Sequence, residues 1–426
     1  MIPPRQPVRL RADWLVPVAS PPVPDGAVLI GADGRIAAVG PAAGVPLPPG
    51  VAALDFGSAA LMPGLVNAHT HLELTGLAGR VVETDFSRWI RGVRELKAGL
   101  DADWFAQAAR RGVADAFAAG ITTVLDTGDS GAVLPALVEL GGAGVVYQEV
   151  FGPDPAQCAG SIAALEERLD QLAPIATEQV RLGVSPHAPY TVSGPLYRET
   201  AALARRRGLP WAVHLAESEA ETALVTTHRG PFAEAWAGRG IPPLERHDDS
   251  GPEARRSPVA WLDAHGVLGP ATLCIHVVRA DDADLALLAA RGAAVAHCPV
   301  SNLRHGHGSA RPAAMLAAGI RVGLGTDSVI SVDRLDLFAE MRAARSLLGT
   351  TAAAVLALAT RDGARVAALP GRSGTLEPGV WADVVALDLP AGGDQPVEER
   401  IVAAGPAAVR ATFASGRPVY RGSQAP

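Results

Sequence analysis

The sequence predicts an α/β protein: a (β/α)8 barrel carrying a small β-sandwich domain formed from both termini. Three observations predict it. From about residue 60, short β-rich runs alternate with Ala-, Leu- and Arg-rich segments of helical period, the pattern of repeated βα units. The β-rich runs number eight, which suits a closed barrel better than an open sheet. Towards both ends the pattern changes to short hairpins with Asp-Gly and Gly-rich turns.

Taken in order, residues 1–59 (RADWLVPV, GAVLIGADGRIAAVG) read as the N-terminal part of the small β domain. Residues 60–370 read as the barrel, with candidate strands LMPGLVNAHTH, TTVLDTG, GVVYQEVFG, VRLGVSPHA, WAVHLAES, ATLCIHVV, AAVAHCPVS and RVGLGTDS. Helical patterns such as DWFAQAARRGVADAFAAG and ADLALLAARG lie between them, each stopped by Gly. Residues 371–426 (GTLEPGVWADVVALDL, VRATFASGRPVY) complete the small domain. A polar, Pro- and Gly-rich stretch from His228 to Pro258 follows the fifth strand; it fits short helices acting as an active-site lid, or a plain surface insertion.

Composition narrows the function. Of 426 residues, 48% are apolar, enough for a large core, and 46 Gly and 35 Pro imply many tight loops. The formal net charge of −7, without a basic stripe, argues against a nucleic-acid surface. No signal-peptide pattern and no run of 18 apolar residues occurs, so the expected location is cytoplasmic, off the membrane. Cys158, Cys274 and Cys298 lack paired spacing and read as reduced, buried thiols. Lys97 is the single lysine, so there is no phosphate loop ending in Gly-Lys, and no Gly-x-Gly-x-x-Gly opens a helix.

In a barrel of this kind, the active site gathers at the C-terminal strand ends. Six of the eleven histidines fall there: His69 and His71 on strand one, His187 on four, His214 on five, His276 on six and His297 on seven. Glu217 follows strand five and Asp327 ends strand eight. Imidazole and carboxylate donors suit Zn(II) or Fe(II) with a position open for water, and His69, His71, His214 and Asp327 supply such a set. A nearby carboxylate such as Glu217 can carry the proton released by metal-activated water, and Asp327 can move a second one.

Together PGLVNAHTH, SPHAPY, VHLAES, the His of TLCIHVV and GLGTDS resemble the amidohydrolase superfamily, in its branch of cytosine, guanine, adenosine-type and S-adenosylhomocysteine deaminases and triazine hydrolases. The resemblance spans nearly the whole chain. It implies His69, His71, His214 and Asp327 as ligands of one divalent metal, Glu217 as proton shuttle, His276 as the residue orienting the attacking water, and His187 as a substrate contact. It also implies a metal-dependent aminohydrolase, of which a homodimer is a common form. Many members bridge two metals with a carboxylated lysine at the end of strand four; this chain has none there, so one metal is expected, and Lys97 reads as a helical surface residue.

The run HTHLE is similar to bacterial enzymes that deaminate 6-aminodeoxyfutalosine for menaquinone synthesis. The other substrates open at this level are S-adenosylhomocysteine, adenosine, guanine, and rings bearing chloride or an alkylamine. Glu73 points to the same face as His69 and His71 if the run is a strand. It reads as a substrate-binding acid, an orienter of an Arg such as Arg80, or a structural hydrogen bonder. In NLRHGHGSARP, His305 and His307 read as a substrate-facing or solvated loop. Arg304 and Arg311 there are candidate partners for a substrate carboxylate. Asn302 and His297 frame the CPVSN turn as substrate or turn-stabilising groups, and His228, His247 and His265 read as surface residues.

Overall fold

The structure, a computed structural model, describes residues 5–244, 257–369, 371, 373–390, 393–423 and 425–426. Two eight-stranded sheets organise it. The first takes Val8–Leu15, Val23–Ile30, Ile36–Pro41, Ala52–Asp55 and Ala59–Pro63 from the N-terminal part, and Val384–Asp388, Val409–Ala414 and Arg417–Arg421 from the C-terminal part. The two parts join where Ala59–Pro63 pairs antiparallel with Val384–Asp388, Pro63 opposite Val384. Leu10, Ile30, Ile36, Leu61, Val384 and Phe413 fill a core belonging to this sheet alone.

The second sheet is the barrel, eight parallel strands in sequence order: Leu65–Thr70, Ile121–Gly128, Ala143–Val150, Val180–Pro186, Trp211–Leu215, Thr272–His276, Ala294–His297 and Arg321–Leu324. Nearly every residue in them is buried, as parallel strands covered on both faces require. All eight β-rich runs appear, with one difference: LMPGLVNAHTH is two strands, broken at Gly64. Gly64 N–H donates to Asp383 O at 2.9 Å, so the chain leaves the first sheet and enters the barrel within one residue. No side-chain period marks such a handover, because both halves are apolar and buried.

The ring closes between its last and first strands. Asp327 N–H donates to His69 O at 3.0 Å, and the Asn67 amide bridges Thr326, accepting from its N–H and donating to its hydroxyl. Gly325 makes this approach feasible, since a Cβ there would lie 2.7 Å from His69 N. The sequence of the helices follows their caps. Asp85 accepts from Arg88 N to start Phe86–Ala98, Asp101 starts Ala102–Ala118, and Asp281 starts Asp282–Arg291, which Gly292 ends at φ 68°. Among the described residues, no helix is long and apolar enough to cross a membrane, and all three cysteines are free, Cys274 and Cys298 buried and Cys158 partly so.

Candidate active site

Strand ends bring His69, His71, His214, His276 and Asp327 into one cluster at the C-terminal mouth of the barrel. Ring centroids of His69 lie 4.8 Å from His71, 4.9 Å from His214 and 5.7 Å from His276. Asp327 Oδ1 is 3.6 Å from His69 Nε2 and 3.5 Å from His71 Nε2. Ligand atoms of His69, His71 and Asp327 lie within 4.8 Å of one another, as do those of His69, His214 and His276.

The residues fit a divalent metal. His69 is fully buried, yet neither ring nitrogen has a hydrogen-bond partner among the described residues, a cost that coordination would remove. The outer nitrogens of its neighbours are committed instead: His214 Nδ1 donates to His187 O at 3.2 Å, and His71 Nδ1 sits 3.2 Å from Thr127 Oγ1. That leaves Nε2 as the free nitrogen of His214, the arrangement usual around metal-bound imidazoles, while Thr127 Oγ1 lies 3.5 Å from His71 Nε2 as well. Asp327 is held by Ser301 Oγ–H and Ser328 N–H, both 2.6 Å from its carboxylate. Three nitrogens and one oxygen form a donor set suited to zinc.

The backbone is bent to aim these groups. Ala216, His276, Val277 and Asp327 all have positive φ, between 49° and 73°, at the ends of strands five, six and eight. Such conformations cost L-residues energy and persist where surrounding contacts over-determine them. After strand five the enforcing group is Glu221, whose two oxygens accept from Ala216 N and Glu217 N at 2.8 and 2.7 Å. Glu217 is thereby turned into the site, where Tyr190 OH donates to its Oε2 at 3.0 Å and its Oε1 lies 3.5 Å from His276 Nε2 and 3.4 Å from His307 Nε2. Burial alone would push the Glu217 carboxyl up, but His276 and His307 hold it down to about 2, so it rests as a carboxylate. His276 Nδ1–H donates to Asn302 Oδ1 at 2.9 Å, which fixes the ring with Nε2 turned toward Glu217.

A cavity of about 790 Å³ opens from this cluster. One wall is the helix Phe86–Ala98, presenting Phe86, Trp89, Ile90 and Val93. Tyr190 stacks on Phe232 at 4.4 Å, and Trp236 Nε1–H donates to Tyr190 O, so the helix Pro231–Ala237 from the His228–Pro258 stretch packs over the Glu217 side. Residues 245–256 of that stretch, His247 among them, lie outside the described residues.

Several peripheral readings change. Lys97 is no surface residue: it lines the cavity and bonds Glu73 Oε1 at 2.6 Å and Asp129. Glu73 is fully buried beneath it, its other oxygen taken by Ser130 N–H and Oγ–H, so Lys97 and not Arg80 is its partner, and its carboxylate is neither beside the metal cluster nor on the cavity wall. Arg304 and Arg311 turn outward to Asp333 and Asp282, whereas Arg94 and Arg239 line the cavity. His307 is buried against Phe86 at 4.5 Å, and His305 packs on Trp89 and lines the cavity, so both histidines turn inward from a loop whose Arg304, Gly306 and Gly308 are exposed. Asn302 touches His276 and is absent from the cavity wall, while His187 lines it. His265 is buried, its Nδ1 2.8 Å from Trp261 O.

Burial pulls His69, His71 and His214 below the ordinary imidazole range, His187 to about 4 and His297 to about 3. The unfolded chain takes up these protons near pH 6.5, and the folded protein refuses them. Stability is therefore fully present above about pH 6.5 and falls as pH drops toward the folded values. His187 alone is expected to cost about 2 kcal/mol of unfolding free energy at about pH 5. Urea titrations of the protein between about pH 7.5 and 5 measure this, and a constant midpoint across that range would sink the account.

The amidohydrolase family model matches residues 60–419. A 5-methylthioadenosine/S-adenosylhomocysteine deaminase of Nitratidesulfovibrio vulgaris is 34% identical over 392 residues, spanning 88% of this chain and 81% of that protein. An aminodeoxyfutalosine deaminase of Deinococcus radiodurans is 33% identical over 333 residues, 74% of this chain and 75% of the relative. Among solved structures, an adenosine deaminase from Xanthomonas campestris with bound zinc superposes with a TM-score of 0.82 at 27% identity, covering 98% of this chain and 93% of that one.

Proposed function

This chain belongs to the amidohydrolase family, and on that premise we propose that it is a mononuclear metal-dependent aminohydrolase replacing the exocyclic amine of an aminopurine nucleoside by hydroxyl, with release of ammonia. The observation that carries the reading is Glu217, a buried carboxylate set by Tyr190 and His276 on the rim of the His69, His71, His214 and Asp327 cluster. Those four residues would hold the metal, zinc by its fit to the donor set, iron(II) by the same ligands. The bound ion supplies Lewis acidity that brings the pKa of water toward neutrality.

The chain's own groups do the rest. Glu217 takes a proton from the attacking water as the carbon–oxygen bond forms and gives it to the adjacent ring nitrogen. His276, its tautomer set by Asn302, orients that water. Asp327 passes the water's second proton to the amine nitrogen, the carbon–nitrogen bond breaks, and ammonia leaves. His187 meets the substrate from the strand-four side, its Nδ1 anchored 2.8 Å from Thr191 Oγ1.

For the specific substrate we favour 6-aminodeoxyfutalosine, on the HTHLE run and the Deinococcus relative. The second reading, S-adenosylhomocysteine or methylthioadenosine, rests on the Nitratidesulfovibrio relative. Arg94 and Arg239 on the cavity wall take over the role expected of Arg304, pairing with a substrate carboxylate. Ammonia release by zinc- and iron-loaded protein is expected with at least one of 6-aminodeoxyfutalosine, S-adenosylhomocysteine, methylthioadenosine and adenosine, and much less with guanine and cytosine. Silence with all the nucleosides would remove the assignment, and chloride release from a chlorinated ring would replace it.

A further inference from the structure

The barrel has a second mouth. At its N-terminal face, opposite the histidine cluster, a cavity of about 480 Å³ opens between the starts of strands four to six and the end of the helix Arg361–Val366. It shares no lining residue with the active-site cavity. Two guanidiniums line it, Arg181 from strand four and Arg205 from the helix Gly194–Arg207, and the described residues around it include no Asp or Glu.

Arginines at the base of a barrel ordinarily serve the fold, and Arg321 shows how. Its Nη1 and Nη2 are spent on the carbonyls of Arg365, Pro270 and Gly292, which ties three neighbouring loops together. Arg181 is used differently. Its Nη2 donates to Ala367 O at 2.8 Å and its Nε is enclosed without a partner, while its Nη1 meets no acceptor among the described residues. Arg205 gives Nη1 to Gly266 O at 2.9 Å, and its guanidinium carbon sits 6.0 Å from the Trp211 ring in the same wall. Among the described residues neither cation meets a carboxylate, so one concave site holds two positive charges whose only protein acceptors are carbonyls.

The rest of the wall adds donors and few acceptors. The carbonyls at the helix ends are spent, Ala204 O on Leu209 N–H and Ala367 O on Arg181. Tyr147 is 2% exposed and lines the cavity; burial pushes its phenol up against the pull of the Arg181 cation, so the hydroxyl stays protonated and can donate. We propose that this cavity is a second binding site, for a phosphate group held between Arg181 and Arg205, either as the free ion or on a small ester. The planar guanidinium presents paired N–H groups to two phosphate oxygens. A phosphate ester carries about −1.5 to −2 charges at about pH 7, which two guanidiniums balance, whereas a single carboxylate balances one. A metal ion or an amine would meet two cations and no acid there.

The inference stands apart from the aminohydrolase reading, since none of these residues belongs to the first cavity. Its test is calorimetric titration of metal-loaded protein with inorganic phosphate at about pH 7.5, against sodium chloride of equal ionic strength, which supplies only screening. Saturable binding of phosphate is expected, about tenfold weaker in Arg181→Gln, the loss that follows from one charge-assisted contact. Arg205→Gln leaves the Ala367 contact in place; it should weaken binding severalfold and carries the test if the Arg181 variant fails to fold. Glycerol phosphate separates the two sources: binding at least as tight as that of inorganic phosphate assigns an ester, and weaker binding assigns the free ion. Absence of saturable binding beyond that of chloride overturns the proposal. So does an affinity unchanged by both substitutions, which would place the phosphate elsewhere, at the metal centre for example.

Discussion

Glu217→Gln is expected to keep its metal and lose turnover by about 10²- to 10⁴-fold, the range that one positioned proton carrier contributes. The amide preserves the shape and still meets Tyr190, so substrate binding should survive. What it cannot do is accept the proton of the attacking water and return it to the ring. Glu217 starts as a carboxylate because His276 and His307 outweigh the effect of its burial, which suits the first of those tasks. Steady-state kinetics with elemental analysis of the same sample decides it. Near-normal turnover at full metal content would remove the proposed shuttle.

His69→Ala is expected to abolish both metal content and activity. This ring is the centre of the cluster, within 5.7 Å of three other imidazoles by centroid distance, and unlike those three it has no hydrogen-bond partner on either nitrogen among the described residues. Loss of the ion should also lower thermal stability, since a ligand bound to the native state alone stabilises it in proportion to the logarithm of its concentration over Kd. Elemental analysis should give one ion per chain in the unsubstituted protein and none in the variant. Two firmly held ions in the former would contradict the mononuclear proposal.

Much of this site was legible in the chain because histidines at the ends of β-rich runs leave a pattern that no core requires. His69, His71, His187, His214 and His276 converge because a closed parallel sheet brings equivalent strand ends together. Residues acting from helices and loops were harder to read. Lys97 lies on an amphipathic helix whose rotation the sequence does not fix, so the ammonium appears as solvent-facing until the helix is docked against Glu73 and Asp129. Glu221 is one of three acids in AESEAE, and only the positive φ at Ala216 reveals which of them holds the turn. His307 looked solvated between glycines, whereas Phe86, distant in sequence, buries it.

The one-residue handover at Gly64 has a consequence for synthesis. The strand carrying His69 and His71 is tethered through Gly64 to Asp383, and Ala59–Pro63 has its antiparallel partner only in Val384–Asp388. As the chain emerges from a ribosome, its first five strands wait with an open edge until nearly the whole polypeptide has been made. Contacts this distant along the chain form late and slowly. A nascent or truncated chain ending before Val384 therefore contains every proposed metal ligand, while the strand Ala59–Pro63 that leads into the one carrying His69 and His71 still lacks its antiparallel partner.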